Sequence, residues 1–354
     1  MKRVFAVTAV IALLGLSIAA QAVTIATVPV GNAGNAGDAR YGSAYQGYGP
    51  ATYGSVGYNY NIGKYEVTAG QYTEFLNAKA TVSDPYQLYN TYMADPTNWH
   101  GCNIQRGGVG TVLNPYTYTV ASDWANRPVN YVSYWDSCRF ANWLGNGQGA
   151  GSTETGAYTL NGYNGYNSYN YYGRTIQRNA NWNWAVTSED EWYKAAYYKG
   201  GGTTAGYWDY PTKSNTAPAN QVLPTDPGNS ANYYINNYSI GSPYYRTNVG
   251  EFENSGSAYG TFDQGGNVWE LNEAIVYQGT DYAYRGLRGG SFDIHSIYGT
   301  LQASGRFYGL YPVHEDLNIG FRVSQVVPEP SSILALAGGL VSLLGMRKRR
   351  SVNQ

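Results

Sequence analysis

Three short motifs mark where helices begin in this chain. In each, a Ser or Thr is followed three residues later by an acid or an amide: Thr68 with Gln71, Ser133 with Asp136, and Ser188 with Glu191. Such capping boxes satisfy backbone N–H groups that the first turn of a helix leaves without intrahelical partners. We therefore predict helices over residues 68–78, 133–144 and 188–200, with glycine as the stop signal for the last two.

Long segments without clear periodicity separate these helices. They are rich in Gly and Tyr, of which the chain has 45 and 38, and only 13% of all residues are charged. Strands are expected over residues 58–65, 285–292 and 318–326, and no repeat long enough for a solenoid or propeller is visible. The sequence thus predicts a single α+β domain, low in regular secondary structure, with long Tyr/Gly/Asn-rich loops.

The loop at residues 151–184 has its densest Tyr and Asn content at residues 163–172. Two interpretations are open. The segment is either a solvent-exposed insertion or an aromatic ligand platform, because Tyr offers a rigid face and a hydroxyl group at low entropic cost.

The N-terminal 22 residues have the three parts of a secretory signal peptide. Lys2 and Arg3 precede an apolar run over residues 4–20, and Ala20-Gln21-Ala22 gives the small-residue exit. We expect cleavage after Ala22, followed by a leading loop at residues 23–54. An uncleaved membrane anchor is the alternative, although the run is short for a span.

Residues 327–350 combine a Pro-Glu-Pro element, an apolar stretch and four final basic residues. This order resembles the PEP-CTERM sorting tail. The resemblance implies transient anchoring in the inner membrane as a transmembrane helix, processing by an exosortase, and a final location at the cell surface. A plain C-terminal anchor is the alternative.

The charge balance excludes one class of partner. Six of the 22 basic residues and one of the 23 acids lie in the terminal segments, which leaves the body at about −6. Nucleic-acid binding needs clustered Lys and Arg, so we expect none. The two cysteines, Cys102 and Cys138, are expected to form a disulfide or to be two buried thiols.

Several blocks between residues 55 and 325 resemble the formylglycine-generating enzyme (sulfatase-modifying factor) family. The blocks start at Tyr60, Arg127, Ser188, Gly266, Arg288 and Gly320, and they read YNIGKYEVT, RPVNYVS, SEDEW, GNVWE, RGGSF and GFR. The resemblance implies a C-type-lectin-like fold. It also implies oxidation of a protein cysteine to formylglycine by O₂ and a copper ion held by two cysteines.

The positions that match the family's copper-binding cysteines are Ile294 and Gly299, and no cysteine follows Cys138. Because copper(I) needs soft thiolate ligands, we expect no copper and lean against an enzyme. Copper binding by the two remaining cysteines, or iron binding by histidines as in a related sulfoxide synthase, has little support. The three histidines, His100, His295 and His314, lack ligand spacing.

The resemblance does carry over part of a calcium site. It implies ligands from Asp263, Gly266, Val268 and Glu270, and a weaker second site at Asn232, where the family's Asp aligns with Ser242. Hard oxygen ligands suit Ca²⁺. Alternatively, Asp263 caps a turn while Glu270 pairs with an arginine such as Arg288. Trp269 and Ser291 match residues of the family's active-site cleft, or they belong to the core.

We therefore expect an exported, non-catalytic binding or structural module of the envelope or exopolysaccharide matrix, with a polysaccharide or protein ligand. One alternative is a formylglycine-generating oxidoreductase with an altered site. Another is a displayed recognition protein that varies over residues 293–317.

Overall fold

The computed structural model describes residues 22–42, 50–97, 101–163, 175–203, 205–279, 283–295 and 299–327. The signal peptide before Ala22, the sorting tail after Val327, His100 and nearly all of the Tyr-rich segment after Tyr163 lie outside these ranges. In the part of the chain that is described, no helix has both the length and the apolar character needed to cross a membrane.

All three predicted helix starts are confirmed. The helices are α1 (Ala69–Lys79), α2 (Ser122–Ala125), α3 (Tyr134–Gly145) and α4 (Glu189–Tyr197), with a 3₁₀ turn at Thr91–Ala94. Thr68, Ser133 and Ser188 are the N-caps of α1, α3 and α4, and each capping box is complete in both directions. The last helix ends three residues before the predicted Gly200, because Tyr198 turns to an extended conformation and pairs with Tyr207.

Within the described ranges, ten strands form three sheets. The first sheet has the order β1 (Thr27–Val30), β2 (Tyr60–Gly63), β10 (Val323–Val326) and β5 (Trp184–Val186). The second is a hairpin of β3 (Ile104–Gly107) and β4 (Thr117–Val120). The third has the order β8 (Phe307–Leu310), β7 (Ala283–Arg288), β6 (Trp269–Gln278) and β9 (Ile319–Phe321).

The main core is aromatic and is built from α1, α3 and the final strands. Phe140 lies in its middle, and its ring centroid is 5.4 Å from those of Phe75 and Phe321 and 5.7 Å from that of Trp143. Offset and edge-to-face aromatic packing of this kind adds stability beyond the area that it buries. The predicted α+β class, low in regular secondary structure, is confirmed.

The structure corrects three details of the predicted organisation. The leading loop contains β1, which pairs antiparallel with β2. The single strand expected over residues 318–326 is two strands in different sheets, divided at Arg322. The strand expected to reach residue 292 ends at Arg288, because Gly289 and Gly290 adopt positive φ angles of 97° and 75°.

Candidate functional site

The predicted calcium segment is a tight turn that leads into β6. Asp263, Gly266 and Asn267 all have positive φ, a region that Gly occupies freely and Asp and Asn tolerate. A Cβ atom on Gly266 would lie 2.1 Å from the carbonyl oxygen of Asn232, so glycine is required there. That carbonyl accepts a hydrogen bond from the Asn267 N–H at 2.7 Å. The structure therefore brings Asn232 and Gly266, predicted as parts of two different sites, into direct contact.

Glu270, the first strand residue after Trp269, is already paired. Its carboxylate accepts hydrogen bonds from Arg322 at 2.5 and 2.6 Å and from Trp192 Nε1 at 2.8 Å. The alternative that Glu270 pairs with an arginine is confirmed, but the partner is Arg322. Arg288, the arginine named as an example, binds Glu189 instead. Glu270 and Arg288 both lie in the third sheet, but the salt bridge reaches between sheets to Arg322, a contact that spacing along the chain does not reveal.

Two further carboxyl groups lie near this ion pair. Glu66 is 2% exposed, and neither of its carboxylate oxygens has a hydrogen-bond partner among the described residues. Burial and the nearby charges of Asp263 and Glu270 raise the pKa of Glu66 well above its usual range. Burial also raises the pKa of Asp263 to about 7, although its carboxylate accepts the Gly250 N–H at 2.6 Å. One arginine thus faces three acids in the interior.

Glu66 is a candidate site residue that sequence reasoning missed. The only signal for it was its position in the Glu66-Val67-Thr68 block at the start of α1. It lies in the wall of a cavity of about 580 Å³, together with Gln71 and Glu74. Among the described residues, no group of three or more His, Cys, Asp or Glu side chains has the geometry of a metal site. Calcium binding at Asp263, Gly266, Val268, Glu270 and Asn232 stays a prediction.

The two predicted cleft residues, Trp269 and Ser291, are buried and are connected through two other residues. Ser291 is fully buried and donates a hydrogen bond from Oγ to Asp293 at 2.6 Å. Asn318 donates to both carboxylate oxygens of Asp293, and its carbonyl oxygen accepts the Trp269 N–H at 2.7 Å. Asp293 and Asn318 are therefore the residues that connect Ser291 to Trp269, and neither was predicted.

Ile294 and Gly299, the residues expected at the positions of the family's copper-binding cysteines, come after Ser291 in the sequence. The Ile294 side chain packs against the main core, and its N–H donates to the Ser291 carbonyl oxygen at 3.2 Å. Gly299 has a positive φ of 61°, and residues 296–298 between them are not described. Neither residue carries a thiol, the group that copper(I) prefers.

Cys102 and Cys138 are free thiols, each fully buried in the main core. The predicted disulfide is thereby corrected in favour of the second alternative, two buried thiols. Cys138 is held within α3 beside Tyr134, and Cys102 precedes β3. Burial raises the pKa of both thiols above its usual range, so they are neutral and poor ligands for a metal.

The two described histidines, His295 and His314, have different partners. His295 pairs through its backbone with Tyr234, while the exposed His314 lies 3.5 Å from the Asp316 carboxylate.

A comparison with protein families identifies the family of this chain. The model of the sulfatase-modifying factor enzyme 1-like domain matches residues 21–326. The chain belongs to this family. A comparison with curated proteins gave no match.

Solved structures similar to this sulfatase-modifying-factor-like chain cover most of it. CarF is 18% identical, with a TM-score of 0.48 over 86% of this chain and 99% of CarF. The Treponema denticola variable protein 1 is 16% identical, with a TM-score of 0.47 over 86% of this chain and 96% of that protein. PvdO from Pseudomonas aeruginosa is 18% identical, with a TM-score of 0.43 over 86% of this chain and 92% of PvdO.

Proposed function

We propose that this chain is an exported, surface-associated binding module of the sulfatase-modifying factor family, without the family's oxidase activity, and that its ligand is a saccharide of the envelope matrix. One observation carries the loss of activity. The positions that match the copper-binding cysteines hold Ile294 and Gly299, while both cysteines of the chain are buried elsewhere in the apolar core. A soft metal would have no accessible thiolate pair.

The cleft residues support the same proposal. Ser291 is fully buried and already hydrogen-bonded to Asp293, and Trp269 is 5% exposed and packs on Phe307. These contacts stabilise the fold around the β6–β9 edge. As a result, the side chains that would line a catalytic cleft are used for packing and internal hydrogen bonds.

The saccharide ligand rests on composition and on the terminal segments. A sorting tail of the kind that residues 327–350 resemble tends to accompany exopolysaccharide systems. Tyr rings with Asn amides suit the apolar faces and hydroxyl groups of sugars. The protein would then be retained at the cell surface as part of a polysaccharide-rich envelope.

Calcium belongs to this proposal as a structural ion. The donor chemistry fits at Asp263 and Glu66, because calcium prefers carboxylate oxygens and the two oxygens of Glu66 have no partner among the described residues. It fits poorly at Glu270, whose carboxylate is taken by Arg322 and Trp192. We therefore propose Glu66 and Asp263, with backbone carbonyls of the turn at residues 263–268, as the calcium ligands.

Binding of the purified protein to a panel of bacterial polysaccharides tests the function. We expect retention on at least one polysaccharide and loss of retention in a Tyr166→Ala/Tyr169→Ala variant that unfolds at the wild-type temperature. A Tyr311→Ala variant, which removes an exposed tyrosine outside this segment, is the matched control. Absence of binding to every polysaccharide would refute the saccharide function.

The alternative, an oxidoreductase with an altered site, predicts O₂-dependent formylglycine formation in a Cys-x-Pro-x-Arg peptide. We expect no product by mass spectrometry when the purified protein is incubated with copper, O₂ and this peptide. Product formation that is abolished in a Cys102→Ser/Cys138→Ser variant would overturn the non-catalytic assignment.

A further inference from the structure

A cavity of about 580 Å³ lies between three segments that are far apart in the sequence. The loop at residues 82–91 forms the first wall, the β3–β4 hairpin forms the second, and Glu315 forms the third. It contains neither the buried acids around Arg322 nor the residues Trp269 and Ser291. Most of its lining is polar and includes hydroxyl, amide and carboxyl groups from Ser83, Asp84, Gln87, Asn90, Thr91 and Glu315.

Arg106 is the only basic residue among the described residues that line this cavity. Its guanidinium carbon lies 4.6 Å from the ring centroids of both Tyr89 and Tyr116, so two aromatic faces hold the group in place. The residue is exposed, and among the described residues no carboxylate lies within salt-bridge distance of it. A rigid guanidinium without an ion pair is a ready site for a carboxylate, which it can bind through two parallel hydrogen bonds.

The two acids of the cavity, Asp84 and Glu315, are compatible with an anion bound beside Arg106. Both carboxylate oxygens of Asp84 accept backbone N–H groups, from Leu88 and Tyr89 at 2.9 Å each. Asn90 donates to Glu315 Oε2 at 2.5 Å. Burial and the nearby charges of Asp136 and Asp84 raise the pKa of Glu315 to about 8, so at neutral pH it is mostly protonated and can donate to a ligand oxygen.

We propose that this cavity binds a uronic acid unit of an acidic polysaccharide, with Arg106 on the sugar carboxylate and Gln87, Thr91 and Glu315 on its hydroxyl groups. The inference rests on the proposed saccharide function and specifies its ligand. A neutral sugar would leave the guanidinium of Arg106 without a carboxylate at hydrogen-bond distance, because Asp84, the acid whose charge acts on Arg106, forms no salt bridge with it. An acidic peptide would satisfy Arg106 but would make little use of the hydroxyl and amide groups along the wall.

The test compares a trigalacturonate with a neutral glucose trimer of equal length, by calorimetry with the purified protein at pH 6.5. We expect tighter binding of the acidic trimer by about ten-fold or more, the range of a hydrogen bond to a charged group. Arg106→Gln should abolish this preference, while Arg106→Lys should keep part of it because the charge remains without the planar fork. Lys199→Gln, which removes another exposed cation stacked on an aromatic ring, should leave binding unchanged.

Glu315 provides a second readout. The groups that act on it are Asn90, Asp84 and Asp136, and Arg106 lines the same cavity. Binding of the acidic trimer should weaken as the pH rises through about 8, when Glu315 ionises. Glu315→Gln should bind normally at pH 6.5 and lose this pH dependence, whereas Glu315→Ala should bind more weakly.

Three outcomes would overturn the inference. They are equal affinity for the acidic and neutral trimers, unchanged binding of the acidic trimer in a folded Arg106→Gln variant, and tighter binding of a short poly-glutamate peptide than of the trimer. Retention of a polysaccharide by Arg106→Gln at the wild-type level would refute this site but not the proposed function. Absence of binding to any polysaccharide would refute the function itself.

Discussion

Arg322 binds Glu270 through two hydrogen bonds, from Nε at 2.5 Å and from Nη2 at 2.6 Å, and neither side chain is exposed to solvent. The remaining N–H groups of the guanidinium donate to the carbonyl oxygens of Gly63 and Phe262 at 3.0 and 2.9 Å. Because Arg322 separates β9 from β10, this one side chain connects the first sheet, the third sheet and the turn before β6.

Removing the positive charge of Arg322 should destabilise the protein strongly. Arg322→Met leaves the Glu270 carboxylate buried without a counter-charge, and breaking a buried pair in this way costs about 3–5 kcal/mol of unfolding free energy. Denaturant titration measures the loss. The double variant Arg322→Met/Glu270→Met should recover a large part of it, since no unpaired Glu270 remains.

Arg106→Met is the matched control, because Arg106 is exposed and lacks an ion pair. Its cost should stay within about 1 kcal/mol. A loss in Arg322→Met no larger than that in Arg106→Met would contradict the central role of the buried pair.

Stability should depend on pH through Asp263. Its pKa is raised from 3.8 to about 7 in the folded protein, so the native state binds more protons than the unfolded chain between these values. Its contribution therefore destabilises the fold progressively as the pH rises from about 4 to 7. Asp263→Asn, which tolerates the positive φ, should remove this part of the dependence in calcium-free buffer. A pH profile identical to that of the wild type would exclude Asp263 as its source.

Calcium should reverse the effect of Glu66 on thermal stability. Without the ion, the buried carboxyl group should lower the unfolding temperature, and with the ion it should raise it. With a chelator present, Glu66→Gln should unfold at a higher temperature than the wild type, because the variant buries no carboxylate without a partner. With excess calcium, the wild type should gain stability and Glu66→Gln should not. Thermal unfolding with and without calcium measures both. An equal calcium response in the two proteins would show that the ion does not bind at Glu66.

The cap of α4 should have a cost typical of capping residues. Ser188 Oγ accepts the Glu191 N–H at 3.1 Å, and Glu191 returns the interaction by accepting the Ser188 N–H at 2.8 Å. Ser188→Ala should lower the unfolding free energy by about 1 kcal/mol. Ser188→Thr keeps the oxygen and should cost clearly less, so equal losses in the two variants would argue against the capping contribution.

The two thiols should be unreactive in the folded protein. Cys102 and Cys138 are fully buried and their pKa values are raised, so neither should react with a maleimide under native conditions. Both should react once the protein is denatured without reductant. Mass spectrometry counts the adducts, and the absence of labelling after denaturation would demonstrate a disulfide instead.

Local signals predicted α1, α3 and α4, because a capping box is complete within four residues. The short helix α2 was not predicted, since its N-cap, Ala121, has no side chain that can cap it. Ser133 and Asp136 need nothing from the rest of the chain to begin α3. The strands were harder to predict. In β6 the pairing register shifts between Leu271 and Ile275 and again before Tyr277, so the regular alternation that identifies a strand is lost.

The site was predicted only in part, for a related reason. The turn at Gly266 is encoded locally by residues that accept positive φ. The partner of Glu270 is not, since Arg322 lies 52 residues away and its selection depends on how two sheets pack. Glu66 gave no chemical signal at all, because an acid beside Val67 and Thr68 looks like an ordinary strand end until Asp263 is brought close to it.

The position of β10 has a consequence for how the domain is made. The last strand of the domain lies between β2 and β5 and forms ladders with both, so the first sheet stays open until Val323–Val326 has been delivered. A chain that leaves the ribosome or crosses a membrane from its N-terminus can therefore form α1 and α3 early but cannot complete its native sheet until nearly its final segment has emerged. Truncations that remove only these few residues should yield a protease-sensitive chain rather than a slightly shortened domain.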